Sequence, residues 1–267
     1  MLSNFHTHTV FCDGDNTAEE MVLSAIEKGF DALGFSGHGY TDFDLSYCIK
    51  DMPGYISEIN RLKDKYKDRI EIYLGLEEDA YCLCDRSKYD YIIGSCHYAK
   101  VQGKHYAIDS GAEYFRTCLE LFGNDPIKLA ENYYGYFVDY ILNRKPDIVG
   151  HFDLITKFDE LGESIFLKNS AYNALAEAFI TRAASSGCIF EINTGAISRG
   201  VRTNPYPALN LLQALKKENA PIILSSDSHS VSTLDCAFEE TRHMLYDLGF
   251  REVCSLSGGS FKKYPIL

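Results

Sequence analysis

Short apolar runs alternate along the whole chain with segments whose apolar residues recur at helical spacing. The first run leads into His6-Thr-His8, and side chains two apart in a strand point to the same side, so both imidazoles aim at one place. Thr17-Ala-Glu-Glu20 is a capping-box pattern, and Ala18, Met21, Val22, Ala25 and Ile26 mark one face of the helix it opens, with Gly29 placed to end it. Positions 30–36 read as a strand running into Gly37-His38-Gly39. Tyr55, Ile56, Ile59, Leu62 and Tyr66 mark a second helix, whose charged run over 63–69 is its solvated face. Strands follow over 70–76, ending at Glu77, and over 89–95, ending at His97.

The stretch from about 110 to 143 reads as the longest helical region, and its aromatic run over 132–140 is expected to line a core. A short strand then ends at His151, and a helix spans 171–185. A strand over 188–192 runs into Asn193, and Pro205 and Pro207 open a helix carrying Leu209, Leu212 and Leu215. A strand over 221–224 precedes Ser225-Ser-Asp-Ser-His229. Leu234, Ala237, Phe238, Met244, Leu245 and Leu248 form the last long helix, stopped by Gly249. Repeated strand–helix units imply an α/β fold with a parallel sheet, and at this length a (β/α) barrel is the leading closure, ahead of a doubly wound open sheet.

Composition narrows the picture. With 46% hydrophobic and 24% charged residues, the 267-residue chain reads as one globular domain over 1–267. No apolar run approaches the roughly 20 residues that span a bilayer, and the start lacks a secretory pattern, so a cytoplasmic protein without membrane contact is expected. Nine scattered cysteines, odd in number, fit reduced thiols, and Cys82-Leu-Cys84 has no second thiol pair to complete a zinc site. A net charge of −12 argues against binding nucleic acid, although metals and one or two placed cations would still admit a small phosphorylated substrate.

Candidate chemistry follows from position. Active sites of such barrels lie at the C-terminal ends of the strands. There the sequence places His6, His8, His38, Glu77, His97, His151, Asp227 and His229, with Asp13 in the loop after the first strand. Of the 8 histidines, only His105 and His243 fall elsewhere. These ligands are too many for one catalytic zinc and suit two or three divalent ions sharing a bridging carboxylate. With no sulfur ligand among them, zinc, iron and manganese all fit.

Assembled, these residues resemble the polymerase-and-histidinol-phosphatase (PHP) superfamily, and within it the monofunctional histidinol-phosphate phosphatases. The motifs are His6-Thr-His8-Thr with Cys12-Asp13-Gly14, Gly37-His38, Gly75-Leu-Glu77, Ile93-Gly-Ser-Cys-His97-Tyr, Gly150-His151-Phe-Asp, Glu191-Ile-Asn193 and Ser226-Asp227-Ser-His229. The resemblance implies a distorted, TIM-like (β/α)7 barrel with a trinuclear centre at its C-terminal face. It assigns His6, His8, Glu77 and Asp227 to a first metal, Glu77, His97 and His151 to a second, and Asp13, His38 and His229 to a third. It implies Arg199 as a substrate cation, with Lys157 and Arg202 as further candidates.

The implied reaction is hydrolysis of L-histidinol phosphate, in histidine biosynthesis, by a hydroxide bridging two metals. Asp227, His38 and His229 would be catalytic, the two histidines as candidate proton donors to the leaving alkoxide. The substrate's amine and imidazole suit an acidic rim, for which Asp42, Asp44, Asp109 and Glu113 are candidates. A PHP phosphoesterase acting on nucleotides or other small phosphate esters is the alternative. The assembly state implied is a monomer or small homo-oligomer.

Overall fold

The apolar runs become the strands of a parallel sheet that curls towards closure. The computed structural model describes residues 1–162 and 164–267. In chain order the strands are β1 (Ser3–Asn4), β2 (Ala32–Phe35), β3 (Glu71–Asp79), β4 (Tyr91–Ser95), β5 (Tyr98–Val101), β6 (Lys104–Ala107), β7 (Ile148–Val149), β8 (Ile189–Asn193), β9 (Ile222–Ser225), β10 (Glu252–Ser257) and β11 (Ser260–Pro265). Seven of these form one parallel sheet in the order β1-β2-β3-β4-β7-β8-β9. Sequential order with helical crossovers is barrel topology, and the edges meet just beyond the strand ends. There the His8 N–H donates to the Ser228 carbonyl at 2.8 Å and the Ser228 N–H to the His6 carbonyl at 3.1 Å. The seam therefore runs through two of the predicted ligand segments.

The inward side chains near the strand starts, among them Phe5, Tyr73, Tyr91, Ile148, Ile189 and Ile223, fill the barrel interior. Cys254 and Leu256 of the β10–β11 hairpin join that layer and cover it from below. The helices are α1 (Ala18–Glu27), α2 (Met52–Tyr66), α3 (Ala112–Leu121), α4 (Pro126–Arg144), α5 (Ser170–Ala184), α6 (Gly195–Ser198), α7 (Leu209–Lys217) and α8 (Phe238–Asp247). Their apolar stripes bury against the outside of the sheet; Tyr133, Tyr134, Phe137 and Tyr140 of α4 lie in that core, as the aromatic pattern predicts. The capping box of α1 is formed by Thr17 and Glu20. Among the described residues no helix is long and apolar enough to cross a membrane.

Three features differ from expectation. The region over 110–143 is two helices, because Gly123 and Asn124 adopt positive φ and Asp125 caps a new helix starting at Pro126. The last helix starts at Phe238, since Ala237 is left-handed. Two antiparallel hairpins escaped the periodicity argument. One turns at Gln102-Gly103 and the other at Gly258-Gly259, where positive φ favours glycine.

The alternation of β3 sends Glu77 and Asp79 inward and Glu78 outward. Glu78 is buried there, accepting from the Tyr140 hydroxyl at 2.7 Å and from Arg144 at 2.9 and 2.7 Å. Burial alone would raise its pKa, but Arg144 and the Cys84 N–H hold it below the usual value. Arg144→Met strands that carboxylate, and breaking a buried pair costs about 3 kcal/mol. Thermal unfolding should show a Tm roughly 6–12 °C lower. Lys128→Ala, which removes an exposed pair with Asp125, should change stability by less than about 0.5 kcal/mol.

Candidate metal centre

Glu77 lies on the barrel axis with its side chain fully enclosed, and its two oxygens face different partners. Oε1 lies 3.1 Å from His151 Nε2 and 3.4 Å from His97 Nε2. Oε2 lies 2.9 Å from His38 Nδ1, 3.2 Å from His6 Nε2 and 3.6 Å from His8 Nε2. Asp227 Oδ1 adds a second carboxylate oxygen, 3.2 Å from His8 Nε2 and 3.6 Å from His6 Nε2. Asp227 follows β9 in a left-handed conformation, which an aspartate tolerates and which marks the sharp turn at the strand end. Further out, Asp13 Oδ2 faces His229 Nε2 at 3.3 Å and His38 Nε2 at 3.5 Å. Gly14 lets this loop fold tightly, since a Cβ there would come within 2.6 Å of the Thr9 nitrogen. All nine predicted ligands are thus brought together.

Acidic partners orient the rings from behind. Glu191 Oε1 meets His6 Nδ1 at 2.6 Å, while its Oε2 accepts from the His151 N–H at 2.8 Å. Asp79 Oδ2 lies 3.1 Å from both the main-chain N–H and the Nδ1 of His97. Cys12 Sγ stands 3.5 Å from His8 Nδ1. Placing the ring proton on Nδ1 leaves the Nε2 lone pair directed inward, the arrangement that metal-binding histidines use. Cys12 and Glu191 stand in motifs of the sequence without a role assigned to them there, and Asp79 was not singled out. The spacing of two from Glu77 to Asp79 was the available signal for one of them.

The donor set fits divalent cations. His6 Nε2, His8 Nε2 and Glu77 Oε2 are buried with no hydrogen-bond partner among the described residues. Nε2 of His6 and His8 converges on Glu77 Oε2 at 3.2 and 3.6 Å, a spacing that a shared cation would satisfy. Burial, with His229 and His38 nearby, lowers the His8 pKa to about 3, whereas neighbouring carboxylates hold His6, His38 and His97 above the usual value despite their burial. Burial would also raise the Glu77 pKa, yet His6, His38 and His97 hold it well below its ordinary value. The nitrogen and oxygen donors fall into four overlapping groups: His6/His8/Asp227, His6/Glu77/His151, His38/Glu77/His97 and His8/Asp13/His38/His229. Such a set suits zinc, iron or manganese.

Of the three predicted cations, two flank this cluster. Arg199, in the turn closing α6, reaches Asp227 Oδ2 at 2.8 Å and lies 3.4 Å from His229 Nδ1. Lys157 lines a cavity of about 260 Å³ together with Asp13, His38, Tyr47, His97, Tyr98 and Asp109. Arg202 is a correction: its guanidinium is buried, donates to Thr156 Oγ1 at 2.8 Å and stacks on Tyr206 at 4.3 Å. The main-chain pairing of Tyr206 with Asn193 carries this segment into the fold, so Arg202 supports the wall and does not face the cavity. Of the acidic candidates, only Asp109 lines the cavity; Asp44 is held by Ser46 and Tyr98, and Asp42 and Glu113 are exposed.

Residues 4–195 match the family described as PHP domain. A Schizosaccharomyces pombe protein named probable histidinol-phosphatase is 28% identical over 95% of this chain and 89% of its own length. The Bacillus subtilis histidinol-phosphatase is 23% identical over 88% of this chain and 96% of its own. The fold is similar to that of histidinol phosphate phosphatase from Lactococcus lactis, solved with zinc, L-histidinol and phosphate. That structure has a TM-score of 0.73 at 22% identity and covers 98% of each chain.

The backing carboxylates carry a measurable consequence. Glu191→Gln, near-isosteric but uncharged, should weaken metal retention about 10–100-fold. Competition with a chelator, followed by elemental analysis, measures this; undiminished retention would mean that Glu191 does not set the His6 ring.

Proposed function

The chain belongs to the PHP domain family, and from that premise we propose that it hydrolyses L-histidinol phosphate to L-histidinol and inorganic phosphate. The observation that carries this reading is Arg199 seated against Asp227, at the edge of a nitrogen–oxygen cluster built around Glu77. Zinc, L-histidinol and phosphate together in the Lactococcus lactis relative support the same reading. So do the names of the curated relatives.

In this proposal His6, His8, Glu77 and Asp227 hold one metal, and Glu77, His97 and His151 a second. Asp13, His38 and His229 hold a third. The opposed facing of the two Glu77 oxygens supports its role as the bridge. Bound there, zinc, iron or manganese would act as Lewis acids, activating water and drawing charge from the phosphoryl oxygens. The chain's own groups supply the rest. Arg199 presents a fixed guanidinium to the phosphate, braced by the Asp227 carboxylate and by its main-chain oxygen at 3.2 Å. Lys157 adds positive charge on the cavity lining, beside Asp109.

Asp227 thereby serves both the donor cluster and the arginine. His229, partly exposed, and His38, on the cavity lining, stand where a proton can reach the leaving alkoxide. The small cavity and the charge of −12 favour a small ester over an oligonucleotide. A step of histidine biosynthesis is consistent with a cytoplasmic location.

Phosphate release from L-histidinol phosphate, nucleoside monophosphates, a sugar bisphosphate and a short oligonucleotide should be compared by kcat/KM. The expected preference for L-histidinol phosphate is more than about tenfold, or ~1.4 kcal/mol. A flat profile would favour a general small-ester phosphatase. Arg199→Ala should lower kcat/KM by about 10²–10³ while metal content is retained. Elemental analysis of the fully loaded protein should find close to three metals per chain, and thorough chelation should abolish activity.

A further inference from the structure

Two carboxylates line the cavity over the centre, and only one is committed. Asp13 faces His8, His38 and His229 as part of the donor cluster. Asp109 lies between β6 and α3 with its carboxylate half-buried. Lys157 Nζ donates to the Asp109 main-chain oxygen at 2.9 Å but lies 3.4 Å from Oδ2. The shorter contact fixes the backbone, and the longer one pairs the carboxylate through Oδ2 alone. Asp109 Oδ1 receives no hydrogen bond among the described residues. The neighbouring lining groups Ser46, Tyr47, Tyr98 and Ser110 are uncharged.

This geometry gives the cavity a direction. Its floor is His38 and His97 of the donor cluster, and its wall carries a single acid outside that cluster, Asp109, beside Lys157. Arg199 does not line this cavity; it stands at Asp227 and His229. A phosphate drawn to the cluster and Arg199 leaves its ester substituent to extend past His38 and His97. In L-histidinol phosphate the ammonium sits two carbons from the ester oxygen, close enough to stay inside this small cavity.

We propose that Asp109 is a specificity-determining residue, receiving the ammonium of an aminoalkyl phosphate and selecting it over esters without that charge. The proposal rests on the reaction proposed above. Lys157 acts on Asp109 as a positioning residue through the main-chain carbonyl. A charge-assisted hydrogen bond in a partly enclosed site favours the amine-bearing ester by about 10–100-fold.

The test compares L-histidinol phosphate with its deamino analogue, 3-(imidazol-4-yl)propyl phosphate, on the metal-loaded protein. Wild type should prefer the amine-bearing ester at least about tenfold. Asp109→Asn and Asp109→Ser should each lower kcat/KM for L-histidinol phosphate about 10–100-fold, mainly through KM, and leave the deamino ester within about threefold. Asp109→Glu, which keeps the charge, should retain part of the preference. Equal losses on both esters, or an undiminished preference in the Asn and Ser variants, would overturn the assignment. A wild type that prefers L-histidinol phosphate over nucleotides yet ignores the amine overturns Asp109 alone. A wild type that does not prefer L-histidinol phosphate over nucleotides overturns the underlying reaction.

Discussion

A carboxylate enclosed among imidazole nitrogens is the constraint on which the rest of this structure depends. Glu77 is buried, and its charge would be costly there without a counter-charge. Glu191, Asp79 and Cys12 stand at the Nδ1 atoms of His6, His97 and His8, which turns the Nε2 atoms of these rings toward Glu77. Divalent cations held there would satisfy the carboxylate and the imidazoles at once. The same donors also form the barrel seam. Main-chain bonds between the His6–His8 segment and Ser228 join the first and last strands where the side chains on either side supply donors. The donor cluster and the closure of the sheet thus share residues, and a metal bound there would add to the stability of the closed barrel.

Strand pleat divides labour among chemically similar residues. Glu77, Glu78 and Asp79 are consecutive acids with three fates. The first faces the donor cluster, the second is turned outward to Arg144, and the third backs His97. A one-residue shift in β3 would exchange these environments and put Glu78 on the axis. The register is held by continuous pairing with β2 on one side and β4 on the other. Tyr91 reinforces it from within: its hydroxyl donates to the Phe5 carbonyl at 2.5 Å, in space left by Gly34 and Gly75.

The strands and the donor residues were legible in the sequence for one reason. Both depend on local periodicity and on where an apolar run stops. His6 and His8 point together because they are two apart, and His97 and His151 mark strand ends whatever lies across the barrel. Features set by long-range contact were not legible. Nothing near Arg202 shows that Tyr206 pairs with Asn193 and turns the segment inward, whereas Arg199, three residues earlier, stays at the surface of the cluster. The two hairpins were missed because their Gly-containing turns flank short strands of mixed polarity. The break between α3 and α4 did have a local signal, Gly-Asn-Asp-Pro, which helical periodicity on both sides overrode.

Charge placement, more than net charge, gives the site its direction. An overall charge of −12 would repel a phosphate at long range, and screening confines that effect to roughly 8 Å at physiological salt. Inside that range the local groups decide. Arg199 is anchored at Asp227 and His229, on the side of β9. Lys157 and Asp109 face the cavity from beyond β7 and β6, across the donor cluster. Arg199 and the Asp109 carboxylate thus stand on different sides of the same centre, with Lys157 beside the acid. A ligand with an anionic head and a cationic branch satisfies both in one orientation, and reversing it would set the cationic branch against Arg199. The barrel supplies the donors for the reacting group, while the loops beyond the strands supply the sense in which the ligand enters.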